Sequence, residues 1–440
     1  MTNGTILLAI SIALIVGLIA NRLIRLLHLP NVTAYLIVGI LLGPYFFGLF
    51  FKDYQGVLSE NLIHALGIIV DLALGFIAFS IGSEFKLQNI KKIGRGVITI
   101  TILQALAALL FVMIALGVFC LCTGTFTENL PVILTLGAIA TATAPAATLM
   151  VIKQYKAKGT LTDTLLPVVA FDDAIGLILF SICFSIAQTF AKQNAGIAGA
   201  SINLYNLIVV PLLEILLSIL VGAIIGFVLT FAMKFFKSRA NRLICMIAAV
   251  FLGVSLCIIA GDLLGFELSS LLTCMMIGAI FCNLRSDAFI ILDGIERWTP
   301  ALFMMFFILS GAELNFGLIQ LPIIGICVVY LIFRSLGKYC GSWFGCQLEK
   351  KEKNVRNYLG LTLLPQAGVA IGMARSASAT FRNIALDASV VGANYLVGIA
   401  GTITAVVLCA TLVYELIGPV ITKVSLTKAG EIKTENKKMV

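Results

Sequence analysis

Thirteen stretches of the chain are apolar enough to lie in lipid, and that pattern leaves few folds open. They fall near residues 5–21, 32–51, 62–83, 97–122, 130–152, 164–190, 205–233, 242–263, 267–283, 299–317, 320–345, 357–378 and 393–421. About 20 apolar residues in a helix cross a bilayer core of about 30 Å. Lipid offers the backbone no hydrogen-bond partners, so runs of this length must pair their own amides as helices. Of the 440 residues, 60% are hydrophobic and 12% charged, where a soluble globule is about a quarter charged. No second soluble domain fits. The first run, Thr5–Ala20, has no basic residues before it and no clear small-residue cleavage site, so it reads as a retained helix. The expectation is an all-α polytopic membrane protein of thirteen transmembrane helices over residues 1–422, with a short cytoplasmic tail over 423–440.

The charges agree with that count. Sorted by alternate loops, 24 of the 30 Lys and Arg residues fall on one side. They include Arg22 and Arg25, Lys86 to Arg95, Lys234 to Arg242, Lys350 to Arg356 and the tail lysines. The other side holds Lys52, Lys192, Arg375 and Arg382. Positive loops stay in the cytoplasm. This puts the N-terminus outside and the C-terminus inside, with a plasma (inner) membrane as the expected location. The net charge of +9 is therefore a topology signal, and no nucleic-acid partner is expected. The eleven cysteines lie mostly within apolar runs without CxxC spacing and read as small buried hydrophobes. No cofactor is called for.

A few ionisable groups resist this sorting. In "VVAFDDAIGLILF" Asp172 and Asp173 stand together inside an apolar run. Arg334 and Lys338 lie within "VVYLIFRSLGKYCG". A charge at the bilayer centre costs roughly 2.5–3.5 kcal/mol on insertion scales, so such groups face the protein interior and find partners. Lys338 is near enough to the interface to snorkel; Arg334 is deeper. Successive helix residues diverge by about 100°, so one aspartate can face Arg334 while its neighbour faces water. Two adjacent carboxylates do not ionise independently.

The chain also repeats itself. Gly82-Ser83-Glu84-Phe85 in the third run resembles Gly311-Ala312-Glu313-Leu314 in the tenth. "VTAYLIVGILLG" in the second resembles "LSSLLTCMMIGA" in the ninth, with Gly39 matching Gly278. Runs 2–6 then correspond to runs 9–13. The offset of seven helices inverts the second copy across the membrane, as in secondary transporters, whose sites lie at interrupted helices in matched positions. Those positions are run five, "LGAIATATAPAATLMVIK", with Thr141, Thr143 and Pro145, and run twelve, "LGLTLLPQAGVAIGMA", with Pro365, Gln366, Gly368 and Gly372. Proline removes a donor and glycine eases unwinding. Unwound backbone at membrane depth is tolerated only when buried in protein or lining a cavity.

With these motifs in place, the chain resembles the cation/proton antiporter superfamily, the two-aspartate sodium/proton exchangers of thirteen helices. The resemblance spans nearly the whole sequence through "LPNVTAYLIVGILLGP", "GSEFKLQNIKKIGR", "TATAPAATLMVIKQYKAKGTLTDTLLPVVAFDDA" and "LPQAGVAIGMA". It implies a homodimer, with a dimerisation part at about 1–95 and 242–319. The core part would be about 96–190 and 320–421, and a linker helix about 205–233. Two crossed broken helices would flank the aspartates, with elevator-type transport. It further implies that Asp173 binds the cation or protons, with Thr143 as an ion-site residue, and that Asp172 neighbours a basic residue on the eleventh helix, here Arg334. Ala144 replaces the aspartate that often follows Thr143.

The chemistry read from the residues agrees. A buried carboxylate can hold a proton or, once ionised, serve as a hard ligand for a hard cation such as Na⁺. A site that takes either, and faces each side in turn, is an exchanger. The expected substrates are protons and a monovalent cation, Na⁺ first, with Li⁺ and K⁺ as alternatives, and the protein is not an enzyme. Asp172, Asp173 and Thr143 are the expected cation ligands, with Thr141, Pro145, Pro365, Gln366 and Gly368 lining the breaks and Glu313 a further candidate. Asp71, Glu214 and Asp262 read as scaffold or interfacial groups. Two other classes compete: a proton-uncoupled cation channel, and an intramembrane aspartyl protease. The protease needs carboxylates on different helices and the channel a filter loop; neither pattern is present.

Overall fold

Helix is the only regular structure among the described residues of the computed structural model. It describes residues 3–26, 31–48, 56–84, 86, 95–144, 148, 151–152, 155–197, 209–264, 268–285, 287–314, 321–386 and 388–432. In chain order the helices are α1 (Asn3–Leu26), α2 (Asn31–Leu42), α3 (Pro44–Gly48), α4 (Glu60–Ala65), α5 (Gly67–Glu84), α6 (Arg95–Cys122), α7 (Phe126–Ile139), α8 (Thr160–Asn194) and α9 (Val210–Phe235). There follow α10 (Arg239–Leu264), α11 (Ser270–Leu284), α12 (Ala288–Trp298), α13 (Pro300–Ala312), α14 (Leu321–Leu348), α15 (Lys353–Thr362), α16 (Gly368–Ala385) and α17 (Val390–Lys428). Among the described residues, seven helices are individually long and apolar enough to cross a membrane. Their outward faces carry exposed Leu, Ile and Phe, such as Leu7, Leu18, Leu220 and Phe227, as a lipid contact requires.

The matched glycines of the two sequence copies make a symmetric pair of crossings. In one, α2 lies on α13: a Cβ on Gly39 would stand 2.0 Å from the Ile308 carbonyl, and one on Gly311 would stand 2.2 Å from that of Leu36. In the other, α11 lies on α5, with Gly278 against the Phe79 carbonyl and Gly82 against that of Met275. Each copy's first helix thus packs on the other copy's second, backbone to backbone, through the positions that the repeat equates. Small residues permit such close approach where lipid supplies no hydrophobic drive.

A third close crossing positions the site. Gly337, Gly341 and Gly345 recur every fourth residue and form one stripe on α14. It lies on Ile100, Gln104, Ala107 and Ala108 of α6. The stripe buries the adjoining face of α14, which carries Arg334 and Lys338, both fully buried.

Runs five and twelve are interrupted as expected. α7 ends at Ile139, and Ala142–Ala144 are not helical. α15 ends at Thr362, and helix resumes only at Gly368. Pro145 lies outside the described residues. Arg375, sorted above with the outer loops, is instead inside α16 and 8% exposed. Run twelve as drawn, 357–378, already spans Arg375, and α16 runs on to Ala385, past Arg382 as well.

Candidate functional site

The site is built where the two interruptions meet. The amide of Ala144 donates to the Pro365 carbonyl at 2.8 Å, joining one break to the other. Thr143 Oγ1 donates to the Leu363 carbonyl at 3.3 Å, and Thr148 Oγ1 to that of Thr362 at 3.1 Å. Gln366 Nε2 donates to the Ile139 carbonyl at 3.0 Å and exchanges hydrogen bonds with the Tyr330 hydroxyl. These contacts occupy peptide groups that unwinding leaves without helical partners.

Both interruptions still present carbonyls at the C-terminal ends of α7 and α15, each a site of partial negative charge. Arg334 answers them. Its Nε donates to the Ala140 carbonyl at 3.1 Å, Nη2 to Ala142 at 2.6 Å and Nη1 to Leu364 at 2.7 Å. The guanidinium also lies 4.5 Å from the ring centre of Tyr414 on α17. A planar fork with five donors suits this task as an ammonium would not.

Lys338, one turn further along α14, reaches the aspartates. Its Nζ stands 2.8 Å from Asp172 Oδ2, with both side chains fully buried. Nζ also donates to Thr143 Oγ1 at 2.9 Å and to the Thr141 carbonyl. The other carboxylate oxygen of Asp172 accepts from Gln104 Nε2 of α6, which also donates to the Thr101 carbonyl at 3.0 Å. Asp173, 4% exposed, lies within electrostatic reach of Lys338. Gly176, four residues beyond Asp172, lets α8 approach the first break: an added Cβ would stand 2.9 Å from Thr141 Oγ1.

This corrects the expected pairing. The ion-pair partner of Asp172 is Lys338, and Arg334 serves the backbone. Lys338 does not snorkel, because α6 covers its face of α14 and Gly360 of α15 packs against its backbone. Nor does Asp173 face open water in this conformation. Asp172, Asp173, Thr141, Thr143, Pro365 and Gln366 come together around Lys338 and Arg334. Gly368 faces Phe307 on α13 instead. Glu313 is elsewhere, paired with Arg375 at 2.9 Å.

Sequence reasoning passed over Gln104, Tyr330, Tyr414 and Glu415. Gln104 had a signal, as a lone amide within the apolar "ITILQALAALL". Lys338 had one too: it sits four residues from Arg334, beside a glycine stripe that marks a buried face.

The transmembrane family described as sodium/hydrogen exchanger matches residues 10–425. The fold is that of the sodium proton antiporter MjNhaP1 from Methanocaldococcus jannaschii. In its structure at pH 8 the identity is 17% and the TM-score 0.73, covering 97% of this chain and 99% of that one. An electron-microscopy structure of the same antiporter superposes with a TM-score of 0.71 at 16% identity, covering 99% of this chain and all of that one. No curated relative matches in sequence. The family match covers nearly the whole length and the fold agrees with it, so the chain belongs to the sodium/hydrogen exchanger family of multi-pass membrane transporters.

Proposed function

We propose that this protein exchanges a monovalent cation, Na⁺ first and K⁺ or Li⁺ as alternatives, for protons by elevator-type alternating access. One observation carries the reading. The Lys338 ammonium is held by Asp172 Oδ2, Thr143 Oγ1 and the Thr141 carbonyl, beside Asp173 and just past the C-terminal end of α7. That is a cage of hard oxygen ligands already occupied by a tethered cation. Hard monovalent cations prefer such ligands.

Asp173 is the shared ligand, taking a proton or the cation. Asp172 anchors Lys338. Thr143 and the freed carbonyls complete the cation's shell when the ammonium withdraws. Arg334 holds the crossing of the breaks together and keeps its charge throughout. The core part, about 96–190 and 320–421, carries the site. The part at about 1–95 and 242–319 is the scaffold and forms the homodimer contact, and the helix over 205–233 links them. The N-terminus faces outward and the tail the cytoplasm of an inner membrane.

The test is a vesicle assay. Protein in liposomes with an acid interior should dissipate the pH gradient on addition of Na⁺, Li⁺ or K⁺ chloride, and the folded Asp173→Asn protein should not. No response to any of the three between about pH 6 and 9, where a perturbed carboxylate can titrate, overturns the reading. Cation flux without proton movement would favour the channel.

A further inference from the structure

One face of α16 is built in two unlike parts. Gly368, Gly372 and Arg375 share it, at spacings of four and three. Gly368 lies against Phe307 of α13, and Gly372 against Leu74 of α5. A small apolar cavity sits beside them, lined in part by Leu74, Ile77, Leu177, Leu271 and Val369. This part has no ridge to interlock with its neighbours.

Arg375 is the opposite. It is 8% exposed. Its Nη1 stands 2.9 Å from Glu313 Oε1, and its Nε donates to Ser310 Oγ at 3.0 Å. Both partners belong to α13: Ser310 in its last turn, and Glu313 as its C-terminal cap. The guanidinium therefore also meets the negative end of that helix. Asp71 of α5 lies within electrostatic reach. At the other end of the same boundary, α2 and α17 share a longer hydrogen bond, from Thr33 Oγ1 to Glu415 at 3.4 Å.

We propose that Arg375 and Glu313 form a latch that closes the site from the face opposite the basic loops. The latch rests on the alternating-access reading above. α16 begins at the second break, so any movement of the site relative to α5 and α13 carries Arg375 with it. The glycine-lined part slides with little resistance. The ion pair does not: displacement by more than about 4 Å separates the charges, and a buried guanidinium without its partner is costly. The pair therefore sets the bias between the conformation seen here and the one open to the outer face.

The experiment compares right-side-out and inverted membrane vesicles from a host lacking its own exchangers, with Na⁺ as the probe. Glu313→Gln should lower the half-saturating Na⁺ concentration at the outer face and raise it at the inner face. The two values should move apart by at least about fivefold, the lower range of conformational couplings. Ser310→Ala should likewise lower the outer value and raise the inner one, by less, and the reversed pair Arg375→Glu with Glu313→Arg should return both to the wild-type values. Wild-type exchange with variants that shift both faces alike, or neither, overturns the latch alone. Wild-type vesicles that exchange nothing overturn the exchanger reading and the latch with it. If Glu313→Gln does not fold, Ser310→Ala decides by the same signs.

Discussion

Arg334 and Lys338 are one helical turn apart and have different partners, so a double-mutant cycle on Asp172 should separate them. Asp172 and Lys338 are both fully buried, 2.8 Å apart. Removing one leaves the other's charge uncompensated, at about 3–5 kcal/mol. The lower part of that range applies, because Asp172 keeps the Gln104 amide and Lys338 keeps Thr141 and Thr143. Asp172→Asn combined with Lys338→Met removes both charges together and should recover about 2–3 kcal/mol relative to additivity. Arg334→Met loses three hydrogen bonds from a charged donor, each worth about 1.5–3 kcal/mol, and a stack on Tyr414 worth roughly 1 kcal/mol more. Asp172→Asn restores none of these, so its coupling to Arg334→Met should stay below about 1 kcal/mol. For a chain of this length 1 kcal/mol corresponds to about 1–2 °C of melting temperature. Thermal unfolding in detergent should therefore show a rescue of about 3–5 °C in the Lys338 double mutant. A rescue of Arg334→Met by Asp172→Asn, with none for Lys338→Met, would refute the assignment of partners.

Three further outcomes follow from the same contacts. In Gly341→Leu the new Cβ meets Gln104 Cα and Ala107 Cβ at 2.6 Å, so the α6 backbone must move. Melting should fall by the 1–3 kcal/mol typical of overpacking, while Cys340→Leu, at an exposed neighbour, leaves it unchanged. Glu431 accepts from Leu161 N, Thr162 N and Thr162 Oγ1 at 2.6, 2.9 and 2.6 Å, capping the helix that carries the aspartates. Glu431→Gln should cost about 1 kcal/mol, read as faster tryptic cleavage after Lys428. In the loop after α11, hydrogen bonding from Arg285 holds the Asp287 carboxyl below its usual 3.8. Its contribution is complete above that value and is lost as pH falls through the lowered one. With both groups partly exposed it is worth at most about 1 kcal/mol. Asp287→Asn should lower the melting temperature at pH 7 and leave it unchanged near about pH 2.

What could be read in advance and what could not divide along a physical line. The breaks at 140–144 and 363–367 were legible because proline, glycine and lone polar residues are costly inside lipid-buried helices, so their presence marks a local exception. The glycine matches were legible because close backbone crossings exclude any side chain, whatever surrounds them. The partners of Arg334 and Lys338 were not. Spacing of four residues puts both on one face of α14 but does not say which of them meets α8 and which meets the breaks. That depends on how far α14 slides along α6, which the packing of Gly337, Gly341 and Gly345 on Gln104 and Ala107–Ala108 decides. Arg375 escaped for a related reason: run twelve contains it, but it sorts as a loop charge because the sequence does not show that Glu313 pairs with it inside the fold.

The exchange of partners changes what the charged residues can do over a transport cycle. A guanidinium keeps its proton in proteins, whereas an ammonium can release one. Were Arg334 the partner of Asp172, the counter-charge would be fixed. Lys338 instead holds the three oxygens that an incoming cation would seek. A cation at about 4 Å from its Nζ would repel it by about 4 kcal/mol at an effective dielectric constant near 20. That repulsion is relieved if the lysine gives up its proton. On the exchange reading proposed above, two protons, from Asp173 and Lys338, then leave for each cation bound, and one net charge crosses per cycle. Lys338→Arg keeps the charge in place while removing the releasable proton. Only the Asp173 proton then exchanges, one for one, and the cycle becomes electrically silent. Proteoliposomes on a supported membrane should give a transient current on a Na⁺ jump with the wild type. The Lys338→Arg protein should give none, while still dissipating a pH gradient. A current of wild-type size from Lys338→Arg would place the second proton on Asp172 instead.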